Sequence, residues 1–516
     1  MMIIDPYRFG GGAPQAPFFT FKTKFIGEVT FEITSSAPNT AIWYMGDGTI
    51  YANTDSVTHI YADDTEKTVS VAVTDFGDVT GIGDFRSKGI TFFDASDLTN
   101  LGGQLWFSNN TEMATISLPT SSATLTGIRV DNTDLTSIDW SGFSDVRGVY
   151  YFHTNPQLTS IINPTQSAAS GSCSYIYLYN TGITSFDFSG ITKWANQAQV
   201  RGENNPSLTS VTFPEQDTGF SFRFLWFKDC NLTGIVDLSN YTFTSSAGGD
   251  WRFDNNPNLT GATFNSTKLT GGQIRLGFDD CNISGVFDLS KVSNLARIDC
   301  SRNSGITGIT LPETTFYDDS NIQLIVVAND CNITGNVDLS LTSFVSGSFN
   351  DNPNLTHLEF PAFSTTTQAG IYAVNCNLTG VIDLTPYNVG NRGGKVSFGN
   401  NPNLTGITMW TSSNIDTSQN FSFVDCSIDS YIDFSGLTGF MDALNVGIRL
   451  ENNLLTAAQI NQMLDVLDGL ATSAVGSTNF RFDGTGNSAP DSSSGGVDGL
   501  AAKSSLISKG FNVTTN

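Results

Sequence analysis

Charge is scarce in this chain, and basic charge is scarcest. Of 516 residues only 14% are Asp, Glu, Lys or Arg, and 24 Lys plus Arg stand against 49 Asp plus Glu, a formal charge of −25. Such a chain repels phosphate backbones and anionic lipid, which argues against a nucleic-acid partner. Histidine is rarer still, with 3 residues, His59, His153 and His357, so few bases are on hand to activate a Ser or Cys nucleophile. No apolar run approaches the roughly 18 residues that mark a membrane-spanning helix, and no membrane insertion is expected. The opening stretch MMIIDPYRFGGGAPQAP lacks the basic start and apolar core of a signal peptide, which predicts a chain not exported by the Sec route. Its 7 cysteines are odd in number and thinly spread, unlike a secreted disulfide scaffold.

What fills the chain instead is Gly, Ser, Thr and Asn around a 39% hydrophobic fraction, a mixture that favours strands and turns. From about residue 100 to 456 one pattern recurs: apolar, x, apolar, x, x, then Asn, Cys or Thr, followed shortly by Leu or Ile and usually Thr. Its sixth position falls at Asn110, Thr133, Asn155, Thr181, Asn205, Cys230, Asn256, Cys281, Asn303, Cys331, Asn352, Cys376, Asn401, Cys426 and Asn453. Odd turns carry Asn, often as NNPNLT, and even turns carry Thr and later Cys, as in DCNLTG. The spacing is about 24 residues, within the range of solenoid repeats.

This pattern resembles the leucine-rich repeat, over roughly two thirds of the chain. The resemblance implies a parallel-stranded solenoid of about fifteen turns, in which the sixth side chain points inward and bonds the backbone of the adjoining turn. Buried loop backbone needs such partners. On that geometry the cysteines cannot bond one another. Parallel strands lie about 4.8 Å apart, so cysteines two turns apart are about 10 Å distant, beyond the roughly 7 Å a disulfide tolerates between Cα atoms and too far to converge on zinc. They are expected to be buried free thiols. Cys300, at a third position, reads as core, and Cys173 has no assignment.

The two ends differ from the repeats. Residues 1–16 read as an N-terminal arm. Over residues 17–75, Trp43, the Gly46-Asp47-Gly48 turn, His59-x-Tyr61 and the alternating Thr68-Val69-x-Val71-x-Val73 series resemble a PKD domain, which implies a small immunoglobulin-like β-sandwich with a structural role for Asp47. Residues 76–456 are the solenoid, and 457–516 an α/β cap. There LTAAQINQMLDVLDGL has helical spacing with a capping box from Thr456 to Gln459, Leu464, Leu467 and Leu470 face the last repeat, GLAAKSSLISKG ends in a glycine C-cap at Gly510, and FNVTTN forms a last strand. The fold class expected is therefore mainly β, a solenoid between a sandwich and a cap.

Three sets of side chains are candidate sites. Position two, exposed on the strand face, reads Trp106, Arg129, Tyr151, Tyr177, Arg201, Trp226 and Arg252; then Gly277 ends the run. Rings and guanidinium groups in a strip are what a glycan or protein partner would use, and the competing reading is that they stack on one another to cover the sheet. Position five, with Asp229, Asn255, Asp280, Asp330, Asp351, Asn375, Asn400, Asp425 and Asn452 interrupted by Arg302, offers oxygens that calcium could take, against the plainer reading of hydrogen-bonded turns. The VDLS-type stretches place Asp139, Asp187, Asp237, Asp288, Asp338, Asp383 and Asp433 where the repeat bends, as turn formers. The N-x-T sequons follow from the repeat. No triad, phosphate loop or zinc pattern is present, and no catalytic residue, metal site, cofactor or enzyme activity is expected.

The sandwich, the NNPNLT turns and the C-terminal ending together resemble surface and virion proteins of bacteria and their phages. That implies a tail-associated or capsid-exposed virion protein, docked on other virion subunits through its N-terminal region and recognising a host-surface glycan or protein without covalent chemistry. The alternatives are a bacterial cell-surface adhesin and a purely structural spacer in the virion.

Overall fold

The computed structural model describes residues 18–167, 170–213, 222–239, 248–264, 273–292, 294–313, 324–342, 344–361, 363–364, 369–388, 394–409, 420–437, 447–474 and 478–516. The arm at 1–16 lies outside the described residues. The chain forms two compact units, Met1–Leu232 and Thr233–Asn516, so the division falls inside the repeat region.

The first unit opens with two facing sheets. One is six-stranded, in the order Thr115–Ser117, Ile90–Asp94, Phe18–Thr23, Lys67–Ala72, Ile42–Tyr44, Ile50–Ala52; the other is three-stranded, Ser56–Tyr61, Gly27–Ser35, Val79–Ile82. Alternate residues turn inward, and Phe21 and Phe31 meet at 4.8 Å between ring centroids. Three of these strands lie past residue 75, the sandwich limit expected from sequence. The reason is packing: Phe93 of the larger sheet touches Phe107 of the first repeat at 4.7 Å, and Phe85 lies 5.5 Å from Phe31 and 5.7 Å from Phe107. The sandwich thereby covers the end of the solenoid core, as a terminal element must. Asp47 serves the turn, accepting a bond from the Thr49 N–H at 2.9 Å and sitting 2.8 Å from Nε2 of the buried His59. Gly46, with φ +81, has no alternative, because a Cβ there would lie 2.6 Å from the Thr68 carbonyl oxygen.

Each repeat supplies one strand to a parallel sheet, with positions one and three buried and position two outward. The first unit stacks Gly103–Trp106, Ser121–Arg129, Phe143–Tyr151, Cys173–Tyr177, Trp194–Arg201 and Phe222–Trp226. A shorter rung precedes them, where Asp84 bridges Trp106 and the Phe85 N–H reaches the Trp106 carbonyl at 3.0 Å. The second unit runs from Gly249–Arg252 to Asn512–Thr514. Among the described residues there are six such strands in the first unit and eleven in the second; the count differs from fifteen because the cap adds Asn479–Arg481 and Asn512–Thr514. Short paired strands line the opposite side, for example Ser284–Asp288 with Gly305–Thr310.

The cap follows its sequence signals. Helix Ala457–Leu470 starts in a capping box between Thr456 and Gln459 and buries Ile460, Met463, Leu464 and Leu467; Leu470 is only half-buried. Helix Gly499–Ser508 ends at Gly510, φ +94, whose N–H reaches the Ile507 carbonyl at 2.9 Å while the Phe511 N–H reaches Leu506 at 3.0 Å. Those two bonds define a Schellman ending, closed by the buried pair Leu506 and Phe511.

Candidate functional site

The ladder explains why the repeat alternates. Asn303 donates from Nδ2 to the carbonyls of Phe278 in the preceding turn at 2.8 Å and Cys300 in its own at 2.9 Å, and its Oδ1 accepts the Ile283 N–H at 3.0 Å. Asn352, Asn401 and Asn453 repeat the same set of bonds, accepting from Ile333, Leu378 and Ile428. In the first unit Asn155 and Asn205 accept instead from the N–H and hydroxyl of Thr133 and Thr181, and Asn110 accepts from Lys88 and Ile90. Asn256 donates to the Phe253 carbonyl at 2.8 Å. The other seven ladder asparagines thus serve two turns each, and the residue between need only be small. Cys230, Cys281, Cys331, Cys376 and Cys426 fill that place, with Sγ 3.2 to 3.4 Å from a carbonyl of the preceding turn.

All seven thiols are free and buried, Cys173 and Cys300 completely. Burial pushes Cys281 up to about 12 and Cys331 up to about 11, the opposite of a reactive thiolate. Sequence reasoning missed one rung: Asn487 accepts the Leu455 N–H at 3.1 Å and donates to Leu450 and Phe482. An inserted Gly484-Thr485-Gly486 separates it from its strand and hides the motif.

Position five owes its residue types to the backbone. Asp229, Asn255, Asp280, Arg302, Asp330, Asp351, Asn375, Asn400, Asp425 and Asn452 all have φ between 52 and 59, the left-handed region that Asn and Asp tolerate best. Their side chains bond along the column, Asn375 to Asp351 and Asn400 to Asn375 at 2.7 Å, and Asn452 to Asp425 at 2.6 Å. Several of the oxygens that suggested calcium are thus engaged in a hydrogen-bonded column. The VDLS aspartates each accept the N–H two residues on, from Ser141 on Asp139 to Ser435 on Asp433, with the same bond at Asp187, Asp237, Asp288, Asp338 and Asp383.

Position two is where the two units differ. In the first unit Trp106, Arg129, Tyr151, Tyr177, Arg201 and Trp226 pair side by side in register. They are half-buried, not exposed as expected, because they stack. The Arg129 guanidinium lies 4.8 Å from the Trp106 ring and 4.7 Å from Tyr151; Tyr151 and Tyr177 stack at 4.8 Å and 6°; Arg201 lies 5.5 Å from Tyr177 and 4.8 Å from Trp226. Arg86 extends the run, 4.5 Å from the other side of Trp106. Strand spacing of about 4.8 Å matches the stacking distance.

Rings from neighbouring positions widen this strip in its middle. His153 and Tyr179, at position four, stack at 4.3 Å and 10°, and Tyr175, just before position one, lies 6.0 Å from Tyr177. Phe224 meets Trp226 at 4.8 Å. The signal that would have found them is the same two-residue period that exposed position two. Burial drives His153 below its ordinary range, with Asp131 opposing and Arg201 adding to the shift, and burial raises Tyr177 to about 12. At neutral pH the patch is a set of uncharged rings and phenol hydroxyls flanked by guanidinium groups.

Arg252 belongs to the second unit and to a different arrangement. It pairs with Asp250 at 2.7 Å and with Asp299 at 3.2 Å, two turns on. Gly277 lies beneath it: a Cβ there would stand 2.6 Å from Arg252 Cδ and 2.5 Å from Asp254 Oδ1. The position-two residues that follow include Val327, Ser348, Ser397 and Ser422.

These features define a leucine-rich-repeat solenoid with a ladder inside and an aromatic and arginine surface on the strand face of its first unit. Residues 84–200 and 310–443 match the BspA type leucine rich repeat region, in six copies; the start at 84 coincides with the short rung before Trp106. A solved structure described as the functional domain of InlJ from Listeria monocytogenes, which includes a cysteine ladder, is similar at 16% identity over 75% of this chain and 76% of that one, with a TM-score of 0.25. No curated protein matches.

Proposed function

We propose that this chain is a non-enzymatic recognition protein of a bacterial cell surface, with the strand face of the first unit turned to a host-surface macromolecule. The carrying observation is the concentration of stacked rings and guanidinium groups at Trp106 to Trp226, where the described strands of the second unit hold ion-paired arginines, one ring at Tyr372 and otherwise mostly small side chains at the equivalent position. Rigid aromatic and arginine anchors supply most of the energy at interfaces between macromolecules. The BspA-type repeats support the bacterial surface over the virion, and the high thiol pKa values give the cysteines no part in nucleophilic chemistry.

The test is adhesion of beads carrying the full chain to host cells. Replacing Trp106, Tyr151, Tyr177 and Trp226 together by Ala is expected to abolish it, while Ser348, Ser397 and Ser422 to Ala leaves it unchanged. Full adhesion by the four-ring variant, with its far-ultraviolet spectrum and melting intact, removes the strip from the account.

A further inference from the structure

Five arginines occupy position two of described strands, and four of them are ion-paired with a carboxylate two residues away in the same turn. Arg201 pairs with Glu203, Arg252 with Asp250, Arg449 with Glu451 at 3.0 Å and Arg481 with Asp483 at 3.5 Å. Arg129 departs from the rule. Asp131, the carboxylate two residues on, instead accepts a hydrogen bond from the Ser108 hydroxyl at 2.6 Å. Among the described residues the Arg129 side chain has no hydrogen bond and no ion pair; only the rings of Trp106 and Tyr151 hold it. Its Nε is buried without an acceptor, and so is Nε1 of the adjoining Trp106. Buried donors are nearly always satisfied, and among the described residues Arg129 is the one position-two arginine whose guanidinium meets no carboxylate of its own chain.

Resting on the recognition function proposed above, we propose that Arg129, clamped between Trp106 and Tyr151, receives a carboxylate of the partner, an Asp or Glu side chain of a protein. A guanidinium fork matches a carboxylate with two parallel bonds. Here the fork is already held by rings on both sides, so little side-chain freedom is lost on binding. The covered ring faces favour a protein over a sugar: Trp106 is flanked by Arg86 and Arg129, and Tyr151 by Arg129 and Tyr177. A sugar ring stacks on an open aromatic face, whereas a protein surface can engage ring edges and phenol hydroxyls.

The probe is immobilised poly-L-glutamate, with poly-galacturonate as the sugar-borne carboxylate. A chain of charge −25 is repelled by both polymers as a whole, so retention reports a local site. Wild-type full chain is expected to bind poly-glutamate more strongly than poly-galacturonate. Arg129→Gln, which keeps a planar group between the rings, is expected to weaken that binding about tenfold or more. Arg129→Lys, which keeps the charge and loses the fork, should weaken it less, and Arg449→Gln not at all. Melting curves verify that each variant is folded, and the Lys variant carries the test if the Gln variant is not.

Undiminished binding by Arg129→Gln, no binding by wild type, or preference for poly-galacturonate each overturns the proposal. Host-cell adhesion separates this failure from failure of the recognition reading. Adhesion kept by Arg129→Gln but lost by the four-ring variant rejects the carboxylate receptor alone, and adhesion kept by both rejects the two together.

Discussion

A buried asparagine is tolerable only when its polar atoms are used, and in the ladder each one ties two turns together. Removing the side chain of Asn303 leaves the Phe278 and Cys300 carbonyls and the Ile283 N–H without their partner. Asn303→Ala is therefore expected to cost about 3 kcal/mol or more, at about 1–3 kcal/mol per orphaned buried group. Cys331→Ala, which loses a small side chain and a weak S–H bond, is expected to cost about 1 kcal/mol. Midpoints of urea unfolding compare the two, and equal losses would refute the division of labour between Asn and Cys. The thiols add a pH signature. Because burial raises their folded pKa values, their contribution is complete below the unfolded value of about 8.5 and is lost as pH rises from there towards about 11 to 12.

Among elements, the strands at Arg252, Gly277 and Asp299 act as one group, with the arginine laid across the glycine. Asp254 beside them is raised to about 6, chiefly by burial, against the N–H of Asp279 and the charge of Arg252. A carboxyl with a raised folded pKa stabilises below its unfolded value near 3.9, and that contribution is lost as pH rises through about 6. Asp254→Asn keeps an acceptor for the Asp279 N–H and removes the buried charge, so it is expected to raise the melting temperature at pH 8 relative to wild type and to lose that advantage by pH 4. A lower melting temperature at pH 8 would show that the pairing with Arg252 outweighs burial.

The repeat, the inward sixth position and both cap helices were legible in the sequence because each rests on local spacing: two residues in a strand, 24 in a repeat, three in a capping box. Other features depend on long-range packing. The sandwich borrows strands past residue 75 because Phe93 needs Phe107, and no local period records that. The strip residues were legible as outward-facing, but their stacking depends on in-register pairing that brings Arg129 between Trp106 and Tyr151. Sequence alone also gives no sign that Asp131 turns to Ser108 and leaves Arg129 without a carboxylate.

At the scale of the whole chain, two units share one repeat and differ in what their strand faces present. The first carries rings and guanidinium groups in a continuous stack; the second carries ion-paired arginines at Arg252, Arg449 and Arg481, the ring of Tyr372, and small residues such as Gly277, Ser348, Ser397 and Ser422. Inside both, the same bonds recur turn after turn, so the interior has no preference for one unit over the other as a binding surface. Side-chain chemistry on the strand face sets that preference, and the stacked rings and guanidinium groups favour the first unit as the proposed recognition surface. Hydroxyl-radical footprinting of the full chain, free and bound to host cells, reads this side chain by side chain. The account predicts protection of Trp106, Tyr151, Tyr177, Tyr179 and Trp226 on binding, with Tyr372 at position two of the second unit unchanged; protection at Tyr372 with none along the first-unit strip would contradict it.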